Sequence, residues 1–215
     1  MSTDAVNHHA GHPGFAGVTG LLAGLAMILR GGDVAQLVAD LAAVSAADDV
    51  VDVGCGPGSA VREAARRGAR VTGVDPAPVM LRVARALTRD RPGISWAEGT
   101  AEDLRLPSES ATVVWALATI HHWLDVTAGL AEVKRVLAAG GRFLALERHV
   151  HPGATGLASH GWTDQQAEAF AAQCRAAGFE DVRIERHKPD RRAVFVIRAT
   201  RPSSPSGDPV CYGDH

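Results

Sequence analysis

Three groups of residues have the types and spacing to do chemistry. The first is Asp52-Val53-Gly54-Cys55-Gly56-Pro57-Gly58, an acid followed by a glycine at every second position. Bare glycines let ligand atoms approach the backbone, and a helix starting just beyond them offers N–H donors with no partner inside the helix. The second is Asp75, which ends the run Val71-Thr72-Gly73-Val74 and can accept hydrogen bonds from both hydroxyls of a ribose. The third is the pair His121-His122 together with Glu147. Imidazole is the side chain suited to proton transfer near neutral pH. A carboxylate close by can orient it or act as the base itself.

The glycine spacing narrows the choice of nucleotide. A dinucleotide loop, G-x-G-x-x-G, needs glycine where this chain has Ser59, and a phosphate loop needs G-K-[ST], which is absent. The loop reads D-x-G-x-G-x-G instead. A plain strand-to-helix turn is the alternative, but three glycines in five positions lower stability and need a reason. For Asp75 the alternative is a helix cap ahead of Pro76. For the histidine pair it is packing, with one ring under the sheet edge and the other lining a pocket. Cys55 reads as a small packing residue, since no base is placed to activate it. His8, His9 and His12 have no Cys or acidic partner at metal-ligand spacing, so no metal site is expected. His149 and His151 are expected near the site, just past a fifth strand.

These residues need elements to hold them. Apolar runs at 49–53, 70–74, 94–97, 112–116 and 142–146 read as strands. Helical patterns fill 59–67, 78–87 and 126–137, and Val34, Leu37, Val38, Leu41 and Val44 mark an earlier amphipathic helix. Such alternation builds a parallel sheet with ligands at the carboxyl ends of its strands. Later, Thr163 reads as the N-cap of a helix through Ala177, closed by Gly178. Strands at 181–185 and 193–199, joined by the short stretch 188–191, must be antiparallel.

The chain is long enough for one domain with a sizeable core. Its net charge of −2 argues against a polyanion-binding surface, so nucleic acid is not an expected partner. Three well-separated cysteines (Cys55, Cys174, Cys211) fit reduced thiols in a cytoplasmic protein. The longest apolar run, 15–29, is shorter than the ~20 residues a membrane helix needs. It lacks signal-peptide flanks and reads as a helix buried against the protein. The Pro-, Ser- and Gly-rich end reads as a disordered tail.

From about Asp48 to Arg201 the chain resembles a class I S-adenosylmethionine-dependent methyltransferase of the small single-domain kind, type 11-like. DVGCGPGSA resembles the first motif of that family, VTGVDPAPVML the second and GTAEDLRLP its adenine-binding segment. VVWALATIHHWLD, EVKRVLAAGGRFLALE and AGFEDVRIERH follow in the family's order. Departures are Thr100 where Asp is common, Ala111-Thr112 where many relatives have an aromatic and Asp, and Ala139 in place of Pro.

The resemblance implies a Rossmann-like α/β fold with a seven-stranded sheet in order 3-2-1-4-5-7-6, strand seven antiparallel and helices on both faces. It implies S-adenosylmethionine as cofactor, leaving as S-adenosylhomocysteine. Gly54, Cys55, Gly56 and Gly58 would pack against the methionine portion, with Asp52 near its amino group. Asp75 would hold the ribose, Ala101 and Glu102 would flank the adenine, and Pro76 and Ala116 complete the cofactor-binding set. His121, His122 and Glu147 would be the catalytic residues. The expected layout is a helical cap or lid over 1–47, the methyltransferase domain over 48–201 and a tail over 202–215. The partner is a small-molecule acceptor, with no membrane. The run 15–29 with Trp115 and Trp123 suggests an apolar or amphipathic acceptor. Gly17, Gly20 and Gly24 leave a homodimer interface as the alternative to a lid. A non-catalytic S-adenosylmethionine-binding protein and an NAD-dependent oxidoreductase are the competing readings.

Overall fold

The computed structural model describes residues 6–8, 10, 32–89, 91–189 and 192–203. The expected helix over 15–29, with Gly17, Gly20 and Gly24, lies outside them, as do His9, His12, Cys211 and the tail from 204. In chain order the elements are α1 (Gly32–Leu41), β1 (Asp49–Val53), α2 (Ser59–Arg66), β2 (Arg70–Asp75), α3 (Pro78–Leu87) and β3 (Ile94–Glu98). Then come β4 (Ala111–Leu117), a 3₁₀ turn (Ile120–His122), α4 (Val126–Val136) and β5 (Leu137–Arg148). A second 3₁₀ turn (Gly156–Ser159), α5 (Asp164–Ala176), β6 (Glu180–His187) and β7 (Val194–Thr200) complete the set.

The seven strands form one sheet in the order β3-β2-β1-β4-β5-β7-β6. β1 to β5 are parallel, and β7 runs antiparallel to both β5 and β6. This is the topology the resemblance implies. Val50, Val51, Asp52 and Val53 of β1 are all buried, as a central strand covered on both faces must be. On one face, Val51, Val114 and Phe143 pack with Leu130 and Val133 of α4 and Phe170 of α5. On the other, Val50, Val113 and Leu144 pack with Val38 of α1 and Val61 of α2. Among the described residues no helix is long and apolar enough to cross a membrane.

α5 starts as its sequence predicts. Thr163 and Gln166 form a reciprocal capping box, and Gly178 beyond its end takes φ +77°. β5 differs from expectation: Gly140-Gly141 do not precede the strand as a turn but lie inside it. β5 begins at Leu137, paired with Ala111, and its register with β4 shifts before Arg142 pairs with Val113. The two glycines lie within that shift and bond to the residue just past β7 instead: the Gly140 N–H donates to the Arg201 carbonyl at 3.0 Å and the Arg201 N–H to the Gly141 carbonyl at 2.9 Å. Val53 pairs with Ala116 and Leu117 with Leu146, so β1, β4 and β5 end together at one edge.

Candidate active site

The glycine loop leaves β1 and is tied at once to its neighbour. The N–H groups of Gly54 and Cys55 both donate to the Val74 carbonyl, at 2.8 and 3.0 Å. Asp75, the last residue of β2, clamps the loop: its Oδ2 accepts from the Gly56 N–H at 2.8 Å. Its Oδ1 accepts from the Ala77 N–H, also at 2.8 Å, supporting the start of α3. The cap alternative is therefore partly realised, from two residues before the N-cap position. A carboxylate has about four acceptor sites, so these two bonds leave room for ribose hydroxyls. Burial raises the Asp75 pKa, and the two backbone donors counter it.

Two of the three glycines are bare partly for the protein's own side chains. Gly54 (φ +72°) faces Thr119, whose Oγ1 would lie 2.3 Å from a Cβ placed there. Gly58 (φ +79°) faces the Trp96 ring at the same distance. Asp52 is buried beneath the loop, and burial lifts its pKa to about 7. The Trp115 indole, its partner in the β1–β4 register, draws that value down, and the Asp75 charge pushes it up. Trp115 Nε1 makes no aligned hydrogen bond, so its pull is weak. Such an acid is poised for a cationic neighbour, which would favour its charged form. Burial pushes the Cys55 thiol far above its ordinary range, which fits the packing role.

The other cofactor candidates sit around this core. Pro76 is exposed and Ala101 buried. Ala116 is fully enclosed in the core, so only its backbone can border a ligand. Glu102 reaches forward: its Oε1 accepts from the N–H groups of Leu124 and Asp125, at 2.8 and 3.2 Å. The segment expected at the adenine thereby fixes the loop that follows the histidine pair.

That pair stands on the turn after β4, which Ala118 enters at φ +53° while its N–H donates to the Leu146 carbonyl. Glu147 is fully buried behind it. Glu147 Oε1 accepts from the Ile120 N–H at 2.9 Å, and its two carboxylate oxygens lie 3.0 and 2.9 Å from His121 Nδ1. A carboxylate can only accept there, so Nδ1 bears a proton and Nε2 points the other way. Of the two expected roles for Glu147, this geometry favours orienting His121.

A third histidine completes the group. His121 Nε2 lies 3.4 Å from His160 Nδ1. The His121 and His122 ring centroids are 4.2 Å apart, and His160 is 5.3 and 5.4 Å from them. Burial and the two neighbouring imidazoles depress the His160 pKa to about 4. His149 and His151 pair with each other instead, and His149 packs on Phe195.

Residues near the start of the chain border this cluster. Trp162 Nε1–H donates to the Val6 carbonyl at 3.0 Å, and Asn7 Nδ2 donates to the carbonyls of Trp123 and Leu124. His8 lies between the Ser159 carbonyl (3.0 Å) and the Gln166 amide (3.2 Å), with its ring 6.0 Å from His121. Trp115 and Trp123 are buried in the core, so they do not support the expectation of an apolar acceptor. Thr119 and His160 carry no local sequence signal; only the folded chain brings them to the loop and the histidine pair.

Residues 51–145 match the family model described as a methyltransferase domain. The demethylmenaquinone methyltransferase of Tropheryma whipplei is 36% identical over 104 residues, 48% of this chain and 43% of that protein. A ubiquinone/menaquinone biosynthesis C-methyltransferase of Rubrivivax gelatinosus is 36% identical over 107 residues, 50% of this chain and 42% of that protein. The chain thus spans less than half the length of these relatives. The solved S-adenosylmethionine-dependent methyltransferase of Mesorhizobium loti superposes with a TM-score of 0.66 at 23% identity. That alignment covers 81% of this chain and 100% of that one, and it is a likeness of fold.

Proposed function

We propose that this chain, whose residues 51–145 match the methyltransferase domain family model, is a class I methyltransferase that moves the methyl group of S-adenosylmethionine to a small-molecule acceptor. One observation carries the reading. The glycine loop, held by Asp75, and the His121 turn, held by Glu147, follow the adjacent strands β1 and β4, which supports a reading in which cofactor and acceptor meet at one sheet edge.

The residues fit the cofactor chemically. Asp52 offers a carboxyl for an amino group, Asp75 has acceptor capacity for ribose hydroxyls, and three of the five loop residues from Gly54 to Gly58 are glycines that leave the backbone bare. When bound, the sulfonium supplies an already activated methyl group. The protein's part is then to hold the acceptor in line and exclude water, and good orientation is worth effective molarities on the order of 10⁵–10⁸ M. An acceptor that loses a proton loses it at the histidine cluster, where Glu147 fixes the His121 ring with Nε2 toward His160. Val6, Asn7 and His8 close one flank of that cluster, which supports a covering role for the segment they begin. Quinone-type rings are the first acceptors to try, since both curated relatives are named for quinone methylation.

The test is transfer of labelled methyl from S-adenosylmethionine to a panel of demethylated quinols, phenols and small amines. The expected result is label in an extractable product with matching S-adenosylhomocysteine, reduced about 10²–10⁴-fold in His121→Ala while cofactor binding holds. Tight cofactor binding with no turnover on any acceptor would favour the non-catalytic binding reading.

A further inference from the structure

We propose that His121, His122 and His160 form a binding site for one divalent transition-metal ion. Each residue offers one ring nitrogen, and the three nitrogens all lie within 4.8 Å of one another. The His121 Nε2 to His160 Nδ1 separation of 3.4 Å is long for a hydrogen bond between nitrogens. It is the spacing of two ligands on a shared ion: two nitrogens at a zinc-type bond length and a tetrahedral angle are about 3.3 Å apart.

The surroundings match those of a metal ligand set. A metal-bound histidine usually donates its other ring N–H to a carboxylate, which fixes the tautomer and raises the basicity of the coordinating nitrogen. Glu147 does this for His121 at 2.9 Å, from a fully buried position on the adjacent strand. The histidines must bind as neutral imidazoles. His8, the next ring, is engaged by Ser159 and Gln166 and is not counted as a ligand. Three imidazoles suit zinc, iron, cobalt, nickel or copper rather than magnesium or calcium. Among the described residues the cluster offers three protein ligands, and a three-ligand set keeps a coordination position for a further group, the pattern of a catalytic rather than a structural site.

The role of that position rests on the methyltransferase reading. A hydroxyl of the acceptor bound there gives its proton to solvent more readily. Its oxygen then forms the new O–C bond as the S–C bond of the sulfonium breaks, and the electron pair of that bond returns to sulfur, leaving a neutral thioether. In this state His121 acts as a ligand, and the proton leaves from the metal-bound oxygen rather than passing to an imidazole.

The full chain, stripped with chelator, is titrated with cobalt(II) and followed by its visible absorption, with zinc(II) as competitor. Saturation at one cobalt per chain is expected. Glu147→Gln should weaken binding ~10–100-fold, and His122→Ala and His160→Ala by more than that. Neither His122 nor His160 is buried in the core, and melting curves confirm that the variants fold. S-adenosylmethionine affinity, measured on the same proteins, should not change. No one-to-one binding of cobalt or zinc to the unaltered chain, or full affinity in both histidine variants, would overturn the site. One-to-one binding in a chain that transfers no methyl group would support the site and tell against the proposed function instead.

Discussion

Asp52 is the residue whose proton the fold controls most directly. Its pKa in the folded chain is about 7, against an ordinary 3.8, because burial penalises the charged form. Between about pH 4 and pH 7 the unfolded chain therefore binds fewer protons at this position than the folded one. The stability it contributes is complete below about pH 4, declines as pH rises through that window and is gone above about 7. A cationic amino group placed beside Asp52 would favour the carboxylate, so binding should expel a proton at pH values below 7. S-adenosylmethionine affinity is accordingly expected to rise from pH 6 to pH 8. Calorimetry in buffers of different ionisation heat should show proton release at the lower end, and Asp52→Asn should remove both effects. An affinity independent of pH in the unaltered chain would place the amino group elsewhere.

At the scale of the elements, the turn from β1 into α2 is the most constrained. Gly58→Ala forces a left-handed backbone on a residue with a Cβ, at a cost of about 1–2 kcal/mol, and drives that Cβ into the Trp96 ring. A chain of this size loses roughly 2–4 °C of melting temperature per kcal/mol. Gly58→Ala should lower melting by several degrees. Trp96→Ala in the same chain should recover the contact part and leave the backbone part. Full recovery would mean that the left-handed conformation costs nothing. These elements were largely legible beforehand because their signals are local: Thr163 and Gly178 at the ends of α5, the glycine spacing, and the short link that makes β6 and β7 antiparallel. The limits of β5 were less legible, since Gly140-Gly141 reads as a turn, and the backbone bonds to Arg201 that hold it in the sheet are tertiary. Half of the candidate site was legible for the same reason. The loop, Asp75 and the His121-His122 pair are contiguous or end a strand, whereas His160 and Thr119 reach the site through tertiary contacts that no spacing announces. Trp115 and Trp123 show the converse: as residue types they suggested a pocket, and the packing put them in the core.

At the scale of the molecule, the sheet order places the site. The chain crosses from one side of β1 to the other between β3 and β4, and the crevice at such a reversal is where open α/β sheets bind ligands. The contacts of Val6, Asn7 and His8 lie on the histidine side of this crevice rather than on the Asp75 side. Deleting residues 1–10 should therefore reduce methyl transfer far more than cofactor affinity. Equal losses in both would show that these residues support the fold as a whole. The central claim is that the crevice holds S-adenosylmethionine, and calorimetric titration of the full chain tests it most directly. One molecule should bind per chain, with NAD failing to compete. Asp75→Ala, which removes a charged acceptor, should weaken binding by roughly 1.5–3 kcal/mol, about ten- to a hundred-fold. Undiminished affinity in a folded Asp75→Ala chain, or NAD binding in place of S-adenosylmethionine, would contradict it.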